Sequence, residues 1–518
     1  MRVFTELPGN QVEADSYGDI LPIETPIRAD RQRAKRHYGV HPYFTRRPYN
    51  VVRQYILHFS QEGDTIVDPF GGSGVTAIEA FLENRCGIQN DINPLANFIA
   101  SGIVNLSCGN INDYKRGLDT LREKCKTQLE AFESLTEEQL LRIGNSVSLP
   151  PNIALPASSD VEKYHDLFTL RQLLSLAILK RAIEELEPAH VHDGLLLAWS
   201  ATLAKLNKTF LSAQGRAESR GGSSIFSIYR YKVAKAPIEL PPWRTFEERA
   251  LNVIAAKIEL DKQVQMKRQT GGWRGRFQVQ ACDIQELAER LHNQADYIFT
   301  DPPYGAHISY LDLSTLWNSW LQRNPSEEVR RKELIVGGQL QLSDSQYKLG
   351  LRKSIESCVS MLKEHRWLSV VFQHWNPTYF EAILEAAELA GAELRAAVSQ
   401  VGDPIWSMHK KKGNESVLAG EMILTFFKAG RNLPRKTAKS FDVQEAIEET
   451  LDATRSGIIY GEYLFNRIVV AAWRNHAIES LNISRTEFVD LIQRRGWQYN
   501  EKSHAWMREK HSTDLFPS

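Results

Sequence analysis

One segment constrains this chain more than any other. A buried-looking run, Thr65-Ile66-Val67, stops at Asp68, turns through Pro69-Phe70-Gly71-Gly72-Ser73-Gly74 and continues as a helical pattern from Val75 to Glu83. A short apolar run bounded by turn residues reads as a strand covered on both faces. The glycines allow a tight turn and a close approach of backbone to ligand. The helix behind them presents unpaired N–H groups and the positive end of its dipole at the same place. A second strand, Cys86-Gly87-Ile88-Gln89-Asn90, ends at Asp91, which follows Asp68 by 23 positions. That is close to where strand–helix–strand folds place an acid for ribose hydroxyls, so the unit is expected to hold a nucleotide-type cofactor. Read instead as a helix cap for Pro94-Leu95-Ala96, Asp91 is a poorer candidate than Asn93.

The second feature is Asp301-Pro302-Pro303-Tyr304, at the end of the apolar run Tyr297-Ile298-Phe299. On residue type alone it is a strand-ending turn. It also presents a carboxylate acceptor, backbone carbonyls that proline leaves rigid, and a flat aromatic surface at one sheet edge. An amino group on an aromatic base could donate one hydrogen to Asp301 and another to the Pro302 carbonyl while its ring stacks on Tyr304.

Strand patterns recur at Arg276 to Ala281, Tyr297 to Thr300, Leu368 to Phe372, Glu393 to Val401 and Met422 to Phe427, with helices between them. Such alternation predicts an α/β fold with a mostly parallel sheet covered on both faces, the last two strands forming a hairpin. Between them lie long helical segments, Asp113 to Phe132, Val161 to Leu186 and Phe246 to Gln269, which form a large helical insertion. After Pro434 the pattern is helical again and predicts a small C-terminal helical domain, with Ser484 and Glu487 marking one helix start. The expected divisions are 1–109 with the glycine turn, 110–272 the insertion and a candidate target-recognition region, 273–430 with Asp301, and 431–518.

Lys and Arg total 63, as do Asp and Glu, so any attraction to a polyanion rests on local clusters. One contains Arg28, Arg31, Arg33, Lys35, Arg36, Arg46, Arg47 and Arg53, interleaved with Tyr38, Tyr43, Phe44 and Tyr49. Another runs from Lys205 to Lys235 and holds Arg216, Arg220, Arg230 and Lys232 among glycines and serines, with Phe226, Tyr229 and Tyr231 as stacking surfaces. Arg46, Arg47, Arg216, Arg220, Arg230 and Lys232 are therefore the expected nucleic-acid contacts, a plain solvated surface being the other reading. The five cysteines are scattered and form no Cys-x-x-Cys pair, so neither a disulfide framework nor a metal clamp is expected. No apolar leader or spanning run is legible, which predicts a cytoplasmic protein without membrane partners.

Taken together, Asp68 to Gly74 and Asp301 to Tyr304 resemble the amino-group DNA methyltransferases that use S-adenosylmethionine. The elements His41-Pro42-Tyr43-Phe44-Thr45-Arg46-Arg47-Pro48, Ser309 to Ser314, Trp317 and Trp320, and Phe372-Gln373-His374-Trp375 are similar to an adenine-specific branch. The resemblance covers about Tyr38 to Asn105 and Arg276 to Lys428. It implies a Rossmann-like methyltransferase fold and adenine-specific methylation of DNA.

For the cofactor, the resemblance implies that Asp68, Pro69, Phe70, Gly71, Gly72 and Gly74 face the methionine end and Tyr43 its carboxylate. It further implies that Asp91 takes the ribose, Ile92 packs on adenine and Asp283 accepts from the adenine amino group. Asp301, Pro302, Pro303 and Tyr304 become the catalytic set, with no metal. Extruding the target base costs a few kcal/mol, partly recovered by stacking on Tyr304. His374 reads as a structural residue. A prokaryotic modification or defence system, with room for a specificity or defence-system subunit, is the expected setting. An RNA guanine or adenine amino methyltransferase, suggested by Gly305, and a non-catalytic nucleic-acid-binding subunit stay open beside it.

Overall fold

The computed structural model describes residues 17–30, 35–144, 147–211, 222–235, 237–270, 272–305, 308–400, 421–430, 441–454, 457–478, 481, 483, 485–500 and 505–508. Its centre is a sheet of seven strands among these residues. They are β1 (Thr65–Asp68), β2 (Cys86–Asn90), β3 (Arg276–Gln280), β4 (Ala295–Thr300), β5 (Leu362–Phe372), β6 (Ala392–Ser399) and β7 (Met422–Lys428). The spatial order is β3-β2-β1-β4-β5-β7-β6. The first five strands run parallel, and β7 runs antiparallel to both β5 and β6, which gives the expected terminal hairpin. The chain has an α/β, Rossmann-like fold.

Alternate residues of each central strand enter opposite cores, as the two-residue period of a strand requires. Ile66, Tyr297 and Phe299 join one apolar cluster, with helices α1 (Tyr49–Phe59), α2 (Val75–Leu82) and α3 (Pro94–Asn105). Val67 and Ile298 join the other, with α9 (Asp344–Met361) and α10 (Pro377–Leu389). The order of strands reverses between β1 and β4. Ligands of open α/β sheets collect at the carboxyl ends of strands beside such a switch point. Asp68 closes β1 and Asp301 directly follows β4, so both motifs arrive there.

The helical insertion is present as α4 (Ile111–Ala131), α5 (Leu170–Glu184), α6 (Ala189–Thr202) and α7 (Pro242–Thr270). The helix expected from Val161 covers only α5. Thr169 starts it with a capping box to Gln172, and the preceding residues form an isolated bridge and one short turn. These helices share the first apolar cluster with α1 and α3, through residues such as Tyr114, Trp199 and Phe246. They extend that core rather than build a separate one.

The C-terminal part departs from the purely helical expectation. It contains α11 (Val443–Asp452), α12 (Gly461–Arg474) and α13 (Arg485–Arg494), and also β8 (Ile458–Tyr460), β9 (Trp497–Asn500) and β10 (Ala505–Arg508). These strands form an antiparallel sheet in the order β8-β10-β9. Three- and four-residue strands carry too little periodicity to be seen in sequence. Trp375, just after β5, stacks on Phe465 of α12 at 4.3 Å and meets Phe488 of α13 edge-on, seating this unit on the second core. Among the described residues no helix is long and apolar enough to cross a membrane.

Candidate active site

The glycine turn is held by its neighbours' side chains. Gly71 N donates to Asn90 O, Gly72 N donates to Asp91 Oδ2, and the Gln89 amide donates to Gly72 O. Asn90 donates to the carbonyls of Pro69 and Cys282 and accepts from Cys282 N, splicing β1, β2 and the end of β3 together. Gly74 sits at φ +91°, and a Cβ there would lie 2.6 Å from the Ala100 methyl, so glycine is required twice over. Gly74 also caps α2 without a side chain, leaving the helix's first N–H groups facing the cleft.

Asp68 accepts from Phe70 N and from Thr300 Oγ1 at 2.8 Å. Since Thr300 immediately precedes Asp301, this hydrogen bond joins the two motifs. Burial pushes Asp68 up to about 7 and Asp91 up to about 6. Asp91 also accepts from Asn93 N, and Asn93 itself caps α3. The cleft between the strand ends is lined by Tyr43, Arg46, Phe70, Asp91, Ile92, Asp283, Asp301 and Pro303.

Asp283 lies at the far end of this cleft with its oxygens engaged. One caps the short helix α8 (Ile284–Arg290) by accepting from Gln285 N and Glu286 N, and the other pairs with Lys332 at 2.8 Å. These partners hold its carboxyl below the usual range. A ligand's amino group meets a carboxylate already committed. Nearby Glu333, which the sequence reading passed over, accepts from Leu311 N, and burial raises it to about 8. An acid in an irregular connection carries no sequence signal.

Both arginines of Arg46-Arg47, expected to contact nucleic acid, are turned into the cleft. Arg46 donates to Ser73 Oγ and His41 O beside the glycine turn, inside the cofactor cleft. Arg47 reaches the Asp301–Tyr304 segment. Its Nε donates to Asp301 Oδ2 at 2.5 Å, its Nη2 to Tyr304 Oη at 2.9 Å, and its Nη1 lies 2.6 Å from Glu421 Oε2. Arginine beside aromatic residues suits phosphate and base equally well as it suits buried carboxylates, so composition could not separate these fates.

Tyr304 has its ring edge-on to Phe372 and its hydroxyl on Asp301 Oδ1 at 2.6 Å. The phenol is therefore part of the motif's hydrogen bonding, where stacking alone was expected. Pro302 is buried, and the Pro303 carbonyl accepts from Tyr347 Oη. Burial outweighs Arg47 and Tyr304 in raising Asp301. Gly305 takes φ +77°, a conformation that glycine supplies whatever the substrate. His374 accepts from Asn376 N and packs against Tyr379.

Of the second basic cluster, Arg216 and Arg220 lie outside the described residues. Arg230 pairs with Asp160 at 2.6 Å, and Lys232 is exposed. Tyr231 is not a stacking surface. It is buried, with its hydroxyl on the carbonyls of Asp312 and Leu313. Phe226 packs on Phe44 and Trp317.

The donor set fits a methyl donor built on an amino acid and a nucleoside. An uncapped helix start and Arg46 suit its carboxylate, the acids Asp68 and Asp91 suit cationic or hydroxyl groups, and Ile92 supplies an apolar wall. The family described as DNA methylase matches residues 10–99. A type II methyltransferase of Methanocaldococcus jannaschii, M.MjaII, is 31% identical over 116 residues, which are 22% of this chain and 21% of that protein. The chain thus aligns with about a fifth of this relative's length. A solved structure described as an antibiotic-related methyltransferase is 13% identical over 34% of this chain and 70% of its own, with a TM-score of 0.17. That likeness is too slight to bear on the fold, which rests on the strand order above. Residues 10–99, carrying the Arg46-Arg47 pair and the glycine turn, are thus similar to the family described as DNA methylase, and the aligned stretch of M.MjaII is similar to part of this chain.

Proposed function

We propose that this protein methylates the exocyclic amino group of adenine in DNA, on a base extruded from the duplex, in a prokaryotic modification or defence system. The observation that carries this reading is the Asp68–Thr300 hydrogen bond, which sets the glycine turn and Asp301 side by side at the switch point. Bound S-adenosylmethionine supplies an electrophilic sulfonium methyl. Arg46 and the start of α2 receive its carboxylate, Asp91 its ribose, and Ile92 its adenine. Asp283 closes the far end.

Asp301 and the Pro302 carbonyl accept hydrogen bonds from the two amino hydrogens, turning the nitrogen lone pair out of conjugation with the ring for in-line attack. The N–C bond forms as the S–C bond breaks, the thioether departs, and the surplus amino proton leaves through Asp301 to solvent. The Tyr304 hydroxyl fixes the Asp301 carboxylate for this. Positioning supplies most of the rate, because no covalent nucleophile is needed. An aspartate before the prolines suits adenine better than cytosine. Gly305, once a hint of RNA guanine chemistry, is accounted for by its backbone angle.

The test is incubation of the protein with radiolabelled donor and, separately, duplex DNA, single-stranded DNA and RNA, followed by nucleoside analysis. N6-methyladenine from DNA supports the proposal. N4-methylcytosine or label in RNA alone overturns its substrate, and no transfer to any pool overturns it entirely.

A further inference from the structure

Asp301 has its seats taken. Tyr304 Oη holds one oxygen at 2.6 Å and Arg47 Nε the other at 2.5 Å, while the guanidinium carbon lies 5.7 Å from the centre of the Tyr304 ring. A target amino group needs that oxygen, and its base needs that ring. Arg47 therefore occupies the place of the substrate. Its second carboxylate partner, Glu421, is already in contact at 2.6 Å, and all three side chains are only 14 to 20% exposed. Leaving Asp301 for Glu421 keeps the guanidinium paired, while the Asp301 carboxylate keeps the Tyr304 hydroxyl and gains the hydrogen bond of the arriving amino group. The move is also local. Pro48 follows Arg47 and opens α1, where its carbonyl accepts from Val52 N, so the backbone stays fixed while the side chain swings.

We propose that Arg47 and Glu421 are positioning residues of this site: Arg47 fills the acceptor seat on Asp301 in the free protein and is handed to Glu421 when the target amino group arrives. The proposal rests on the amino-methylation reading above. In it, Asp301 stays charge-compensated until a base displaces the guanidinium. The arriving amino group finds a carboxylate whose other oxygen is already oriented by Tyr304. Glu421 lies 120 residues beyond Asp301 in sequence, outside both motifs, so nothing in the pattern of either motif pointed to it.

The experiment compares wild type, Glu421→Gln, Arg47→Gln and the double variant on a single-stranded oligonucleotide containing one adenine, with cofactor affinity measured on each as the check of fold. Glu421→Gln should lower kcat at least tenfold with cofactor affinity within twofold, because Arg47 then has only Asp301 to hold. Adding Arg47→Gln should restore most of that loss, a suppression that a merely structural pair would not show. In wild type, the Arg47 Nε–H resonance should be shifted downfield and should move on adding the oligonucleotide with a non-reactive cofactor analogue, but not with the analogue alone. Additive losses in the double variant, or an unmoved Arg47 resonance in an active wild type, overturn this proposal and leave the methylation reading standing. A wild type that methylates no DNA or RNA overturns both.

Discussion

Tyr304 Oη donates to Asp301 Oδ1 at 2.6 Å, so the aromatic and the acid of the proposed catalytic motif are held as one unit. If so, Tyr304→Phe should keep the ring and lose the hold on the carboxylate. The expected drop in kcat is about tenfold, the equivalent of one hydrogen bond to a charged group. Tyr304→Ala should lose more, and Asp301→Ala should abolish transfer while cofactor affinity stays within twofold. Single-turnover methylation of an oligonucleotide measures each.

Asp68, raised to about 7 by burial, also gives cofactor binding a pH dependence. The cationic part of the ligand favours the ionised acid, so affinity should be constant above pH 8 and weaken as pH falls through 7. The slope should approach tenfold per pH unit below that. Calorimetric titration between pH 6 and 8.5 checks it, and Asp68→Asn should flatten the curve at weak binding.

Burial raises Glu333 to about 8 in the absence of ligand. Because its folded-state pKa lies above its unfolded value near 4.3, its stabilising protonation is fully present below pH 4 and is lost as pH rises through 8. Glu333→Gln should therefore be more stable than wild type at pH 8.5, by on the order of 1 kcal/mol. The difference should vanish near pH 4. Thermal unfolding of the cofactor-free proteins at both values measures this.

At the glycine turn, Gly74→Ala forces a side chain onto a backbone at φ +91° and against Ala100. Cofactor binding should fall at least a hundredfold even if the protein folds. Gly39→Ala, where a Cβ meets nothing within 4 Å, is the control and should bind normally.

Trp375 and Phe465 should prove the seat of the C-terminal unit. Phe465→Ala removes a ring that is 2% exposed and stacked on Trp375, at a cost of about 3–5 kcal/mol. Unfolding monitored by tryptophan fluorescence should then show an early transition.

The parts of the fold that were legible were those with strong local patterns. β1, the glycine turn and α2 read directly, because apolar run, glycine and helix each have their own signal. So did β4 with Asp301, and the hairpin of β6 and β7. The short strands of the C-terminal unit did not, because three residues cannot display a period. Within the site, Asp68, Asp91, Tyr43 and Asp301 were named from sequence, and all four line the cleft. What sequence could not tell was which partners would claim them. Arg47 reads like a phosphate contact until the fold folds it onto Asp301, and Tyr231 reads like a stacking surface until its hydroxyl finds two buried carbonyls. Those outcomes depend on residues far away in sequence.

The pairing of β1 with β4 has a consequence for how the protein is made. Asp68 and Thr300 are 232 residues apart, and the helices of the insertion lie between them. Long-range strand pairing of this kind is slow to form, because a large loop must close before any contact rewards it. During synthesis the glycine turn emerges first and waits, with β2 but without β4, while the insertion is translated. The insertion packs on α3 and shares its apolar cluster, so it shields the waiting strands on that face. Catalytic competence arrives only when β4 slots in beside β1, which makes the centre of the sheet a late event in folding and the cofactor cleft a marker of its completion.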